Sequence, residues 1–297
     1  ITTANTDLPI STNKVTFTSG STGSPRGVCL STKQQLLVAS SLLEATQLKS
    51  PKHLSILPFS TLLENIGGIY APLLSGGTVF ALSQQELGFN GSTGFDLSIL
   101  LNTINTVQPN SMILLPELLL ALISAIENGW KAPDSLQFIA VGGSKVSSLL
   151  LQKAIALGLP VYEGYGLSEC SSVVSLNRPS HSLLGSIGQP LSHVNVVIEE
   201  GEIIVKGNSF LGYINDVNSW LPSEVHTGDL GYFDDDNYLH ISGRQKNLLI
   251  SSFGRNINPE WIESELVSNG LLQQVIVFGD AKPFCIALLS ARRNDTS

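Results

Sequence analysis

The stretch FIAVGGSKVSSLLLQKAIALGLPVYEGYGLSE at residues 138–169 changes its hydrophobic period twice. FIAV, residues 138–141, is a continuous apolar run of strand length, and Gly142 and Gly143 turn the chain out of it. Ser147 then caps a helix that sets Leu150, Ala154 and Leu157 on one face, and Gly158 and Pro160 end it. Val161 and Tyr162 open a second strand that runs into the glycine-rich segment 163–169. Strand, turn, helix and strand in this order predict an α/β fold, a sheet flanked by helices.

Outward from this unit the pattern first repeats and then changes. KVTFT at 14–18 alternates as a strand, a Gly/Ser loop follows, and residues 31–48 carry Leu36, Ala39 and Leu43 at helical spacing. From about Asn195 the texture is that of hairpins: NVVIEEGEIIV turns at Glu200 and Gly201, and YFDDDNYLHI turns at 235–237. NLLISSFGRNINP predicts one more hairpin, Asn258 caps a helix with Pro259 at its first position, and strands at 274–278 and 284–289 close the chain. The expected organisation is an α/β part over 1–194, a β-rich subdomain over 195–245, and the beginning of a small α+β C-terminal domain over 246–297.

Composition narrows the function classes. Of 297 residues, 42% are hydrophobic and 13% charged, which allows a large core and argues against wholesale disorder. Net charge is −8 from 24 acidic and 16 basic residues with no basic run, so nucleic acid is not an expected partner. Cys29, Cys170 and Cys285 form no CxxC and suggest neither zinc nor a disulfide framework; they read as reduced thiols of a cytoplasmic protein. The most apolar stretch, 112–126, is interrupted by Pro116 and Glu117, so no transmembrane segment is expected. No secretory signal opens the chain. With Ile1 first and Met112 the only methionine, the N-terminus reads as cut, processed or incompletely represented.

Chemistry is concentrated in five segments. TSGSTGSPRG at 18–27 lies between a strand and a helix; its three glycines let backbone amides approach a phosphate, Ser19, Ser21 and Thr22 add hydroxyls, and Arg26 adds charge. No Gly-Lys-[Ser/Thr] closes it, so it is not a Walker A loop, and composition alone would favour a flexible turn. GGS at 142–144, YEGYGLSE at 162–169, HTGDLG at 226–231 and GRQKNLLISSFGRNINPE at 243–260 follow. A hydrolase elbow at Ser168 is discounted, because GLSEC lacks the closing glycine of G-x-S-x-G.

In this order the segments resemble the signatures of the adenylate-forming (AMP-binding) superfamily, which includes acyl-CoA synthetases, peptide-synthetase adenylation domains and firefly luciferase. The first is similar to TSGSTGxPKG with Arg26 replacing lysine, and the third to YGxTE with Ser168 replacing threonine. The resemblance implies that Thr18, Ser19, Gly20, Ser21, Thr22, Gly23 and Arg26 hold ATP phosphates, and that Gly143, Ser144, Tyr165 and Gly166 border adenine. It further implies that Ser168 bonds the α-phosphate, Glu169 holds Mg²⁺, Asp229 accepts the ribose hydroxyls and Arg244 contacts ribose or phosphate. Arg26, Ser168, Glu169 and Arg244 are the expected catalytic residues, Lys246 the hinge, and Gly254 the point where the pantetheine arm of CoA passes. The five histidines fit none of these positions and read as structural.

The implied activity is ATP-dependent conversion of a carboxylic acid to acyl-AMP, then transfer to a thiol of CoA or an acyl carrier protein. LPFSTLLENIGG at 57–68 falls where the family builds its acyl pocket; it has no aspartate for an α-ammonium and is nearer to LPLxH of fatty-acid activators, although without the histidine. A medium- or long-chain fatty acid is the expected substrate. Only fourteen residues precede Val15, and Lys282, the one lysine after Glu265, does not resemble the terminal lysine motif of the family. The polypeptide is therefore expected to have little or no activity alone. A nucleotide-binding module that has lost catalysis is the alternative.

Overall fold

A computed structural model describes residues 7–18, 25–91 and 94–292, so Ser19, Gly20, Ser21, Thr22 and Gly23 lie outside the described residues. β1 (Lys14–Thr18) and β2 (Arg26–Leu30) form an antiparallel pair with Thr18 opposite Arg26. α1 (Thr32–Thr46) starts in a capping box: Ser31 Oγ accepts from Gln34 N–H at 3.2 Å, and Gln34 Oε1 accepts from Ser31 N–H at 2.8 Å. Its buried face runs through Gln35, Val38, Ala39, Ser41, Leu42 and Ala45. The expected apolar face is thereby rotated: Ala39 is buried, but Leu36 is 39% exposed. Gln35 can take the inner position because its amide donates to Ser31 O, 3.1 Å away.

β3 (Lys52–Ser55) leads into a π-helical segment, Glu64–Tyr70, continued by α2 (Ala71–Leu74), and then β4 (Thr78–Ala81). The two-residue strands β5 (Phe89–Asn90) and β6 (Gly94–Phe95) precede α3 (Leu97–Val107) and β7 (Ser111–Leu114). α4 (Pro116–Glu127), β8 (Phe138–Val141), α5 (Ser148–Ala156) and β9 (Val161–Leu167) complete the alternation. The apolar run 112–126 is thus a strand and a helix with Pro116 in the first turn. Among the described residues no helix is long and apolar enough to cross a membrane.

β4, β3, β7, β8 and β9 are parallel neighbours, and β10 (Ser172–Leu176) and β11 (Gln189–Pro190) add antiparallel strands to make a seven-stranded sheet. Alternation along each strand builds two cores. Ile139 and Val141 pack with Leu119, Ile123 and Leu150 of α4 and α5. Phe138, one residue out of phase, packs on the other face with the cluster of Val38, Leu42 and Ile66.

β12 (Val194–Glu199), β13 (Glu202–Gly207), β15 (Glu224–Phe233) and β16 (Leu239–Arg244) form a four-stranded antiparallel sheet. Its first hairpin turns at Glu200 and Gly201, both with positive φ, as a two-residue turn requires. β14 (Gly212–Tyr213) pairs with β2 instead. The hairpin of β17 (Leu249–Ile250) and β18 (Asn256–Ile257) precedes α6 (Pro259–Val267), capped by Asn258 as expected. β19 (Leu272–Phe278) starts earlier, and β20 (Ile286–Ala291) ends later, than the apolar pattern predicts, because the pairing continues past it through a register shift between Leu272 and Gln274.

The chain after β10 returns against that strand at Gly188, where φ is +81° and a Cβ would overlap the backbone of Leu176 and Asn177. Gly188→Ala should therefore lower stability by about 2 kcal/mol or more, read as a lower urea midpoint. An unchanged midpoint would contradict this close seating.

Candidate active site

The site lies at the carboxyl ends of β8 and β9, where open α/β sheets place their ligands. Gly143 leaves β8 with φ +86°. On β9, a Cβ at Gly166 would overlap the Ser172 carbonyl and stand 2.8 Å from Val173 Cα, so only glycine permits this approach of β10.

Three of the sequence segments meet here. Tyr165 donates its hydroxyl to Asp229 Oδ2 at 2.7 Å, and Arg244 Nε donates to Asp229 Oδ1 at 2.9 Å. Asp229 and Arg244 are cross-strand partners on β15 and β16. Thr227 Oγ1 accepts the Asp229 N–H at 3.0 Å and donates to Ile203 O at 2.7 Å, which fixes the turn carrying the carboxylate. Burial, and then the adjacent Asp229 carboxylate, hold the Tyr165 hydroxyl well above its ordinary pKa, so it remains a donor. A cavity of about 540 Å³ is lined by Gly143, Ser144, Tyr165, Gly166, Asp229 and Arg244, joined by Glu260 and Glu263 of α6.

A second cluster joins Arg26 to Glu169. Tyr213 donates its hydroxyl to Glu169 Oε1 at 2.8 Å, and the Arg26 guanidinium carbon stands 4.2 Å from the centre of the Tyr213 ring. A planar guanidinium can lie on a ring in a way that lysine cannot, which gives the departure from lysine at 26 a physical reason. Burial first, and the Glu169 carboxylate second, raise the Tyr213 hydroxyl, with Arg26 acting against them. Sequence reasoning missed Tyr213; the available signal was the pair Gly212-Tyr213, where φ is +128° at the glycine and Trp220 fills the space of a side chain. Ser168 opens the short turn Ser168–Cys170, and Thr18 ends β1 opposite Arg26.

Among the described residues no three or more His, Cys, Asp or Glu side chains gather as a metal centre. Glu169 nonetheless offers the hard oxygen that Mg²⁺ accepts when substrate phosphates complete its shell. Lys246 lies exposed on the turn after β16. Gly254 sits at the tip of the β17–β18 hairpin with φ +73° and no described atom within 4 Å of a Cβ, so backbone conformation is what asks for glycine there.

A separate apolar cavity of about 250 Å³ runs under α1 and the π-helical segment. Its walls include Leu42, Gly67, Met112, Ile113, Phe138 and Ala140, and no Asp, Glu, Lys or Arg among the described residues. The segment 57–68 thus does border a pocket, and His53 of β3 lines it as well. The two cavities share Gly143, Gly164, Tyr165 and Gly166.

Glu163, on β9, lines the polar cavity and is 6% exposed; burial pushes its carboxyl up to about 7, with Lys145 opposing. Unfolded, the group titrates near about 4.3, so between the two values the folded state holds the extra proton. Stability should then fall as pH rises through that window, by up to about 4 kcal/mol. Glu163→Gln should remove this slope from unfolding free energies measured between about pH 4 and 8; identical slopes in both proteins would refute it.

The AMP-binding enzyme family matches residues 11–214. The 2-succinylbenzoate–CoA ligase of Bacillus subtilis is 32% identical over 286 residues, 89% of this chain and 55% of that protein. The long-chain-fatty-acid–CoA ligase FadD15 of Mycobacterium bovis is 34% identical over 155 residues, 50% of this chain and 26% of that protein. The chain thus spans about half, or less, of the length of these curated relatives. The solved O-succinylbenzoate-CoA synthetase of Bacillus subtilis with its acyl-adenylate OSB-AMP superposes with a TM-score of 0.80 at 28% identity, over 97% of this chain and 61% of that one. The anthranilate-CoA ligase AuaEII with anthranoyl-AMP shares the fold, TM-score 0.80 at 18% identity, over 95% of this chain and 57% of that one. Since the match across residues 11–214 takes in more than half of the sequence, this chain belongs to the AMP-binding enzyme family of adenylate-forming enzymes.

Proposed function

We propose that the protein carrying this chain activates a carboxylic acid with ATP and passes the acyl group to CoA. The observation that carries the reading is the meeting of a polar, nucleotide-sized cavity and an apolar one at Gly143, Gly164, Tyr165 and Gly166. A carboxylate entering from the apolar side would meet an α-phosphate held on the polar side. Its oxygen bonds to phosphorus as the bond to pyrophosphate breaks; the thiol sulfur then bonds to the acyl carbon and AMP leaves.

In this reading the loop of Thr18, Ser19, Gly20, Ser21, Thr22 and Gly23 binds the phosphates together with Arg26, and Ser168 bonds the α-phosphate. Glu169 holds Mg²⁺, whose charge neutralises the phosphates when it is bound. Asp229 binds the ribose: each of its oxygens already accepts one hydrogen bond and keeps a second lone pair for a hydroxyl. Gly143, Ser144, Tyr165 and Gly166 border adenine, and Arg244 reaches ribose or phosphate. Residues 246–297 begin a small domain that turns about Lys246 and brings Gly254 to the thiol arm. Catalysis is then mostly positioning and charge neutralisation.

The wall without charged side chains favours a medium- or long-chain fatty acid. A dicarboxylate such as 2-succinylbenzoate would bury its second carboxylate there with no Lys or Arg among the described lining residues to pair with it.

ATP–pyrophosphate exchange by the full-length protein, offered fatty, aryl and amino acids, tests the proposal. Fatty acids should drive exchange, and exchange with amino acids alone would sink the assignment. Glu169→Gln should lower kcat about 100-fold or more. Tyr213→Phe, which removes the bond to Glu169 but keeps the ring under Arg26, should cost about tenfold.

A further inference from the structure

Resting on the acyl-activating reading, we infer that Ser111 and His53, the latter backed by Glu64, form a polar end wall of the acyl pocket. This wall limits the chain to about ten carbons and hydrogen-bonds a hydroxyl at the chain's far end. His53, Ser111 and Phe138 are register partners across β3, β7 and β8, so they lie side by side on one face of the sheet. All three line the apolar cavity at the amino ends of these strands, whereas Gly142 and Gly143 line it at the carboxyl end. From Phe138 to Gly143 the chain advances at most about 16 Å, at roughly 3.3 Å per residue for fully extended backbone. One contact of about 4 Å at the wall leaves about 12 Å, or some ten bonds at roughly 1.2 Å each.

The wall is built from groups that packing alone does not call for. His53 Nδ1 lies 2.9 Å from Ser111 Oγ and Nε2 lies 3.1 Å from Glu64 Oε1, with His53 and Ser111 buried and Glu64 wholly inaccessible. Glu64 Oε2 has no hydrogen-bond partner among the described residues. Gly68 keeps the space clear, since a Cβ there would stand 2.6 Å from His53 Nε2. A half-satisfied buried carboxylate is a poor source of stability, and apolar residues of the same volume would serve a pure core at least as well. The row does have a use in recognition. The Ser111 hydroxyl spends one hydrogen bond on His53 Nδ1 and keeps further bonding capacity for a hydroxyl in the cavity. The π-helical turn that carries Glu64 is a form often found at functional sites.

ATP–pyrophosphate exchange by the full-length protein over saturated acids and ω-hydroxydecanoic acid tests this, with ATP binding by calorimetry showing that each variant is folded. In the wild type, exchange should peak near decanoate and fall about tenfold or more by hexadecanoate, with KM for ω-hydroxydecanoate about fivefold below that for decanoate. Ser111→Ala should abolish the preference for the hydroxylated acid, and Ser111→Leu should move the peak to shorter acids. A profile flat through hexadecanoate, or the same hydroxyl preference in Ser111→Ala, overturns the end wall while leaving acid activation standing. ATP binding without exchange on any acid removes the underlying reading and the wall with it.

Discussion

The approach of β10 to β9 at Gly166 is the constraint on which the site depends. Only a residue without a side chain lets the Ser172 carbonyl lie where it does, and Val173 shares that space. The contact fixes where β9 ends, and with it the direction of Tyr165 on one side and the start of the turn carrying Ser168 and Glu169 on the other. Both cavities open on this short length of backbone. A shift of β10 would move the acyl and nucleotide walls together.

The charges around that edge are paired within the protein itself. Asp229 is held by Tyr165 and Arg244, and Glu169 by Tyr213 with Arg26 above its ring. These partners lie on different sheets: Tyr165 on the seven-stranded one, Asp229 and Arg244 on the four-stranded one, and Arg26 and Tyr213 on the three-stranded one. The hydrogen bonds therefore lock three sheets around one volume. Such prior orientation leaves little reorganisation for the moment of reaction, which is where electrostatic catalysis gains most.

The apolar cavity answers to a different physics. Its shape comes from period-two alternation on β3, β7 and β8 and from the cover of α1 and the π-helical segment, so its length is a property of strand geometry. At one end it meets backbone glycines and at the other a buried polar row. The cavity is thus bounded along its length by hydrogen-bonding groups while its sides remain apolar.

The sequence by itself determined the alternation of strand and helix from 138 to 169, the hairpins at Glu200 and at 235–237, and the caps at Ser147 and Asn258, because each depends on neighbours a few residues away. It also determined the family, through ordered segments whose chemistry is local. It did not decide the buried face of α1, where Gln35 displaces Leu36 because its amide finds a carbonyl one turn back. Nor could it bring Tyr213 to Glu169 or His53 to Glu64 and Ser111, since those partners are distant in sequence and meet only through pairing of β14 with β2 and of β3 with β7. Local spacing encodes elements, but register and packing across sheets encode which side chains share a cavity, and only the tertiary structure holds that information.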